Sequence, residues 1–219
     1  MKTLHILDHK LWFPPVEEAD YEGLLAAGGD LSFERLLLAY RKGIFPWFEG
    51  DVPLWWCPDP RFVLFPEELY VSKSMKQVMK RKHFQFTQNK SFASVIDACG
   101  SVHREGQLGT WITPGMREAY IHLHQQGFAH SFEAWHQQKL VGGLYGIKMG
   151  KVFFGESMFS VMSNASKAAF IWAVQQLQAV GVQFIDCQVY TAHLESLGAR
   201  HIDRREFLDL LHNYVDLEN

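Results

Sequence analysis

Residues 128–189 read FAHSFEAWHQQKLVGGLYGIKMGKVFFGESMFSVMSNASKAAFIWAVQQLQAVGVQFIDCQV, and the changing periodicity along them decides the fold. Phe128–His136, Lys139–Ile147 and Lys151–Phe159 are strand-like runs, separated by turns at Gln137-Gln138 and Met149-Gly150. A helix is then predicted from about Asn164 to Val180, capped by Ser163 or Asn164 and closed by Gly181. The strand VQFIDCQV follows at once, and a last helix spans Arg204–Tyr214 with Phe207, Leu208 and Leu211 on its packing face. A three-strand meander, a helix, a strand and a helix predict a mixed α+β layer.

Upstream, Ser72 caps a helix running to about Lys82, with Met75, Val78 and Met79 as its apolar stripe. Phe84–Thr87 alternates like a strand, Ser91 opens a helix ended by Gly100, and Pro114 suits the first turn of a helix that leaves at Gly127. Before about Tyr70 the composition shifts to Pro, Gly and Trp, with one helix capped by Asp30 or Ser32 and closed by Gly43. This predicts a small N-terminal domain, residues 1–70, of short strands and turns around buried tryptophans. A larger domain would fill residues 71–219.

The chain has 219 residues, 47% hydrophobic and 21% charged, the profile of an ordinary globular protein. Its apolar runs are too short for a membrane span, and the N-terminus lacks a signal-peptide core, so a cytoplasmic location is expected. Cys57, Cys99 and Cys187 are far apart and odd in number, which argues against a disulfide framework or thiolate metal site. His122 and His124 point to different helix faces and there is no HExxH, so no metal centre is expected. The net charge of −3 argues against indiscriminate nucleic-acid binding. A local exception is Lys73, Lys76, Lys80, Arg81 and Lys82, five cations in a stretch without an acid.

In the strand VQFIDCQV, alternation places Phe184, Asp186 and Gln188 on one face and Ile185, Cys187 and Val189 on the other. Burying a carboxylate or an amide unpaired is costly, so the pair needs either a structural partner or a catalytic purpose. FFGESMF adds Glu156, a second carboxylate inside an apolar strand, for which a buried ion pair with Lys or Arg is the rival account. Gly142–Gly146 (GGLYG) lacks the spacing of a phosphate loop and falls mid-strand. It reads as room for a ligand or a neighbouring chain segment. Trp111 follows a loop-like GQLGT, a position suited to stacking on an exposed base.

Together GLLAAGGDLSFERLLLAYRKGIFPWF, WWCPDPRFVLFP, GTWITPGMREAY, LVGGLYG, FFGESMFS, NASKAAF, IDCQV and SLGAR resemble the leucyl/phenylalanyl-tRNA–protein transferases, from about Phe13 to His212. The resemblance implies a C-terminal domain like the GCN5-related N-acetyltransferases, joined to a small N-terminal α/β domain. It implies a soluble cytoplasmic enzyme without metal or coenzyme A. Such an enzyme moves Leu or Phe, less well Met, from aminoacyl-tRNA to a protein with N-terminal Arg or Lys, marking it for N-degron proteolysis. By motif it assigns Asp186 and Gln188 as the catalytic pair and Glu156 to the reacting amine. Trp47 and Trp111 would hold the terminal adenosine. Leu144, Phe153, Met158, Phe170 and Ile185 would line the pocket for the amino-acid side chain, and the basic helix would carry the tRNA acceptor stem.

The tRNA ester is already activated, and an α-amine of pKa about 7.7–8.0 is partly uncharged at neutral pH, so positioning should supply much of the rate. A neutral amide is a poor base. Gln188 is therefore expected to orient the amine while Asp186 carries or relays the proton, with an adenosine hydroxyl as the rival shuttle. Glu156 would offer negative charge to the amine or to the acceptor's cationic side chain. Two other classes stay open: an acetyl-CoA enzyme, disfavoured because SVMSNASK lacks a glycine-rich phosphate turn, and a non-catalytic module that recognises basic N-termini or tRNA. A monomer is expected from the lack of coiled-coil repeats or a long apolar surface stripe.

Overall fold

The computed structural model describes residues 4–101 and 112–215. Strands β1 (His5–Leu7), β2 (Leu24–Gly28), β3 (Phe45–Pro46) and β4 (Leu54–Trp56) form a small sheet in the order β1-β2-β4-β3. Helix α1 (Phe33–Arg41) connects β2 to β3, and the Ser32 side chain caps it by accepting from the Arg35 N–H. Trp55 is fully buried, its indole N–H donating to the Gly28 carbonyl at 2.9 Å.

The larger sheet contains β5 (Arg61–Leu64), β6 (Gln85–Gln88), β7 (Ala129–His136), β8 (Lys139–Met149), β9 (Val152–Ser160), β10 (Phe184–Gln188) and β11 (Arg200–Ile202). Their order is β11-β5-β10-β9-β8-β7-β6. The meander β7-β8-β9 is antiparallel as expected, whereas β10 runs parallel to β9 after a crossover through α5 (Ala165–Ala179). The strand β11 was not anticipated, and β5 was expected only as one of the short strands of the small N-terminal domain. β5 comes from the Pro-rich stretch before residue 70 and inserts between β10 and β11, so this stretch completes the larger sheet. Both are too short for alternation to declare them.

The helices divide between the two faces. With α1, α3 (Phe92–Ser101), α4 (Pro114–Gln125) and α7 (Arg204–Tyr214), Tyr145, Phe154 and Phe184 build an apolar cluster continuous with the small sheet. On the other face, Leu144, Phe153 and Ile185 pack with α2 (Lys73–Lys80) and α5. A short helix α6 (Ala192–Glu195), also unanticipated, follows β10. Asn164 precedes α5 with φ +67° and makes no side-chain capping bond, so the expected cap is absent.

GGLYG makes room for chain rather than ligand. A Cβ on Gly142 would lie 2.8 Å from the Ala165 carbonyl carbon at the start of α5, and one on Gly146 would lie 2.1 Å from the Phe154 carbonyl oxygen. Gly146→Ala is therefore expected to cost about 1–3 kcal/mol in urea unfolding. Gly155→Ala, whose Cβ would meet nothing nearer than the Asp186 carbonyl at 3.6 Å, should change stability by less than about 1 kcal/mol. Equal costs at the two positions would contradict this packing account.

Candidate active site

The parallel register sets Phe154 beside Asp186, which brings Glu156 on β9 toward Gln188 at the end of β10. Strict alternation fails there. Asp186 pairs with Val63 and Gln188 with Phe62, leaving Cys187 as the extra residue of a bulge. Gln188 takes φ +64°, an uncommon left-handed backbone for a residue with a side chain. Its backbone N–H donates to Asp186 Oδ1 at 2.9 Å, which ties the bulge closed. Asp186 and Gln188 are thus adjacent, but the kink separates the directions they serve.

Asp186 is fully buried and grips Arg61 of β5 in a two-point ion pair, Arg61 Nε to Oδ1 at 2.8 Å and Nη2 to Oδ2 at 2.7 Å. Burial works against the Arg61 charge, but the adjoining Asp186 carboxylate more than offsets it and raises the guanidinium pKa. The Phe45 and Phe207 rings hold the guanidinium from either side, with centroids 4.8 and 4.5 Å away. The buried ion pair weighed for Glu156 therefore exists, but on Asp186. Arg61 was missed because its only sequence signal was a lone arginine in CPDPRF.

Glu156 is held by hydroxyls and an amide. Its Oε1 accepts from the Tyr40 hydroxyl at 2.8 Å and from Gln188 Nε2 at 2.9 Å, and its Oε2 accepts from the Tyr120 hydroxyl at 2.8 Å. The Tyr40 and Tyr120 hydroxyls also contact each other. Burial pushes the Glu156 pKa up to about 7, against the hydroxyl and amide donors that favour the anion; the Asp186 charge adds to the rise. Burial thus makes the charge of Glu156 depend on pH near neutrality.

Glu156 and Gln188 edge a cleft of about 460 Å³. Leu144, Met158, Phe170 and Ile185 form its apolar wall, and Glu156 and Gln188 contribute the polar side. Phe153 does not line it; it is buried beneath, edge-on to Phe132 at 5.8 Å. Cys187 does line the cleft, yet burial raises its thiol pKa far above normal, so it is no candidate for a thiolate nucleophile. His193, also unanticipated, lines the mouth. Trp47 lies in the small sheet region, 38% exposed and packed on Trp56 at 5.6 Å, outside the cleft lining. Trp111 falls outside the described residues. Lys73, Lys76, Lys80, Arg81 and Lys82 are all exposed along α2 and its C-terminal exit. Among the described residues no helix is long and apolar enough to cross a membrane, and no group of His, Cys, Asp and Glu could hold a metal ion.

The raised Glu156 pKa has a stability consequence of definite sign. The folded chain retains a proton that the unfolded chain releases between pH 4.5 and about 7, so stability falls as pH rises through that window. Glu156→Gln removes this loss. The melting temperature of the variant relative to the unsubstituted protein should therefore rise across the window, by on the order of 5 °C. A difference independent of pH would contradict the raised pKa.

The description "Leucyl/phenylalanyl-tRNA protein transferase" matches residues 63–212, and that of its N-terminal domain matches residues 29–59. Proteins named leucyl/phenylalanyl-tRNA–protein transferase are similar over almost the whole chain. The one from Flavobacterium johnsoniae is 57% identical over 209 residues, covering 95% of this chain and 99% of that one. The one from Christiangramia forsetii is 60% identical over 202 residues, covering 91% and 95%. Similar solved structures include L-PGS from Bacillus licheniformis (TM-score 0.43, 12% identity, 77% of this chain and 54% of that one). A GCN5-related N-acetyltransferase from Kribbella flavida gives a TM-score of 0.42 at 11% identity, covering 74% and 58%. This chain belongs to the leucyl/phenylalanyl-tRNA–protein transferase family and is an aminoacyl-transferring enzyme.

Proposed function

We propose that this enzyme moves Leu or Phe, and less well Met, from aminoacyl-tRNA to the N-terminal Arg or Lys of a protein, tagging it in the cytoplasm for N-degron proteolysis. The observation that carries this reading is the cleft that sets an apolar wall of Leu144, Met158, Phe170 and Ile185 beside the buried polar pair Glu156 and Gln188. Such a cleft suits an unbranched-Cβ apolar side chain. Its walls can separate one methylene by only about 1–3 kcal/mol, so rejection of Ile and Val depends on contact close to Cβ. Gln188 uses its amide nitrogen on Glu156, which turns its amide oxygen toward an amine entering the cleft. Asp186 has both oxygens engaged by Arg61 and the Gln188 backbone, so it acts as a positioning residue that sets the bulge. Proton transfer then falls more naturally to a hydroxyl of the substrate, and the reaction is direct aminolysis of the ester: the C–N bond forms, the C–O bond breaks, and one proton passes from nitrogen to the leaving oxygen.

The exposed face of α2 supplies cations for the tRNA backbone, and Trp47 offers a ring to the terminal adenosine. The direct test is incubation with Leu-tRNA and a peptide beginning with Arg, with mass spectrometry expected to find Leu-Arg at its N-terminus. Unmodified peptide would overturn the reading in favour of a binding module. Asp186→Ala should lower turnover by about a hundredfold through misplacement of Gln188, and near-normal turnover would sink the assignment. Reversing the charges of Lys76 and Lys80 should weaken tRNA binding and reduce its salt slope by about 2. Unchanged affinity and slope would show that α2 is not the contact.

A further inference from the structure

Tyr40 on α1 and Tyr120 on α4 are fully buried, and their hydroxyls meet the Glu156 carboxyl, whose Oε1 also receives the Gln188 amide from β10. The three groups make three oxygen–oxygen contacts: Tyr40 with Tyr120, Tyr40 with Glu156 Oε1, and Tyr120 with Glu156 Oε2. Each contact needs one proton. A phenol has one O–H, so two neutral tyrosines supply two protons and an ionised carboxylate supplies none. With Glu156 ionised, one buried contact would set oxygen lone pairs against each other. A protonated Glu156 supplies the missing hydrogen.

We propose that Tyr40 and Tyr120 are positioning residues that close a three-hydrogen-bond ring with a protonated Glu156 and so aim the Gln188 amide oxygen at the acceptor amine. The last clause rests on the transfer reaction proposed above. Gln188 settles the direction of the ring. Its Nε2 already donates to Oε1, so Oε1 is the carbonyl oxygen and Oε2 carries the proton. Protonation reverses the Tyr120 contact that an ionised carboxylate would accept: Oε2–H donates to Tyr120, Tyr120 to Tyr40, and Tyr40 to Oε1. Each of the three oxygen–oxygen contacts then holds one proton, and Oε1 accepts from both Tyr40 and Gln188.

The surroundings agree. Burial, and after it the Glu156 carboxyl, raises both tyrosine pKa values well above normal, so the phenols stay neutral. The other titratable groups facing the ring are Tyr145 on β8 and Asp186 on β10, the latter neutralised by Arg61 on β5. None of them places a free cation beside Glu156. A neutral acid also serves the chemistry, since a carboxylate there would stabilise the acceptor amine as a non-nucleophilic ammonium. The ring itself exchanges no covalent bond with substrate.

The test is infrared spectroscopy of the free protein at a pH of about 6, paired with transfer kinetics. A protonated-carboxyl C=O band is expected that disappears in Glu156→Gln and moves to higher frequency in Tyr120→Phe and Tyr40→Phe, which lose hydrogen bonds to the acid. Tyr120→Phe should also lower kcat for peptide transfer by about tenfold, with KM for aminoacyl-tRNA unchanged. A missing band, or one that both phenylalanine variants leave in place, overturns the ring. A shifted band with unchanged kcat overturns its positioning role. Failure of the unsubstituted protein to transfer would instead count against the underlying functional reading.

Discussion

The ion pair between Arg61 and Asp186 joins two strands that are 125 residues apart in sequence, and the site's geometry hangs on it. Taking two charges out of water is expensive, and their attraction compensates only when geometry is good and remaining polar sites are met. Here the contact is bidentate, the spare Asp186 lone pair receives the Gln188 backbone, and two phenylalanine rings lie against the guanidinium, while Arg61 Nη1 has no hydrogen-bond partner among the described residues. Removing one partner of such a pair typically costs about 3–5 kcal/mol because the other charge is stranded. The pair also connects the parts of the molecule. Phe45 belongs to the small sheet, Phe207 to the final helix and Arg61 to the strand inserted beside β10. A charge buried for the sake of one bulge thus meets side chains from three separate stretches of chain.

From that bulge the division of labour follows. Asp186 is turned away from solvent and spends its charge on Arg61, while Gln188 is turned into the cleft with its amide nitrogen on Glu156. Glu156 in turn depends on hydroxyls from α1 and α4, helices far apart in sequence that pack on the same face of the large sheet. Behind the cleft, Gln188 and Glu156 are backed by the Tyr40 and Tyr120 phenols, and the Asp186 charge is capped by arginine. Such an arrangement presents hydrogen-bond acceptors to an amine without holding it as a cation. This fits a reaction whose ester is already activated and whose main need is placement.

Much of the layout was legible in the sequence because it is written in local patterns. The meander, α5 with Gly181 at φ +84°, and the caps at Ser32 and Ser72 all follow from periodicity and capping chemistry. Leu144, Met158, Phe170 and Ile185, named from sequence motifs, lie together on the cleft wall. The losses have one cause, which is pairing between distant segments. β5 is four residues long, and only its partners β10 and β11 make it a strand. Arg61, Tyr40 and Tyr120 carry no local sign of the residues they meet. The Cys187 bulge broke the alternation that had set Asp186 and Gln188 on a common face, and the tight packing around Phe153 removed it from the cleft.

The central claim is that Arg61, Asp186 and Gln188 act as one positioning unit. A double-mutant cycle with Arg61→Met and Asp186→Asn, read in kcat for transfer to an Arg-terminated peptide, addresses it most directly. Residues that act as a unit are strongly non-additive. Each single substitution should depress kcat, and the double variant should be no slower than the slower single. Losses that multiply would contradict the account and leave Asp186 with a role of its own in the chemistry.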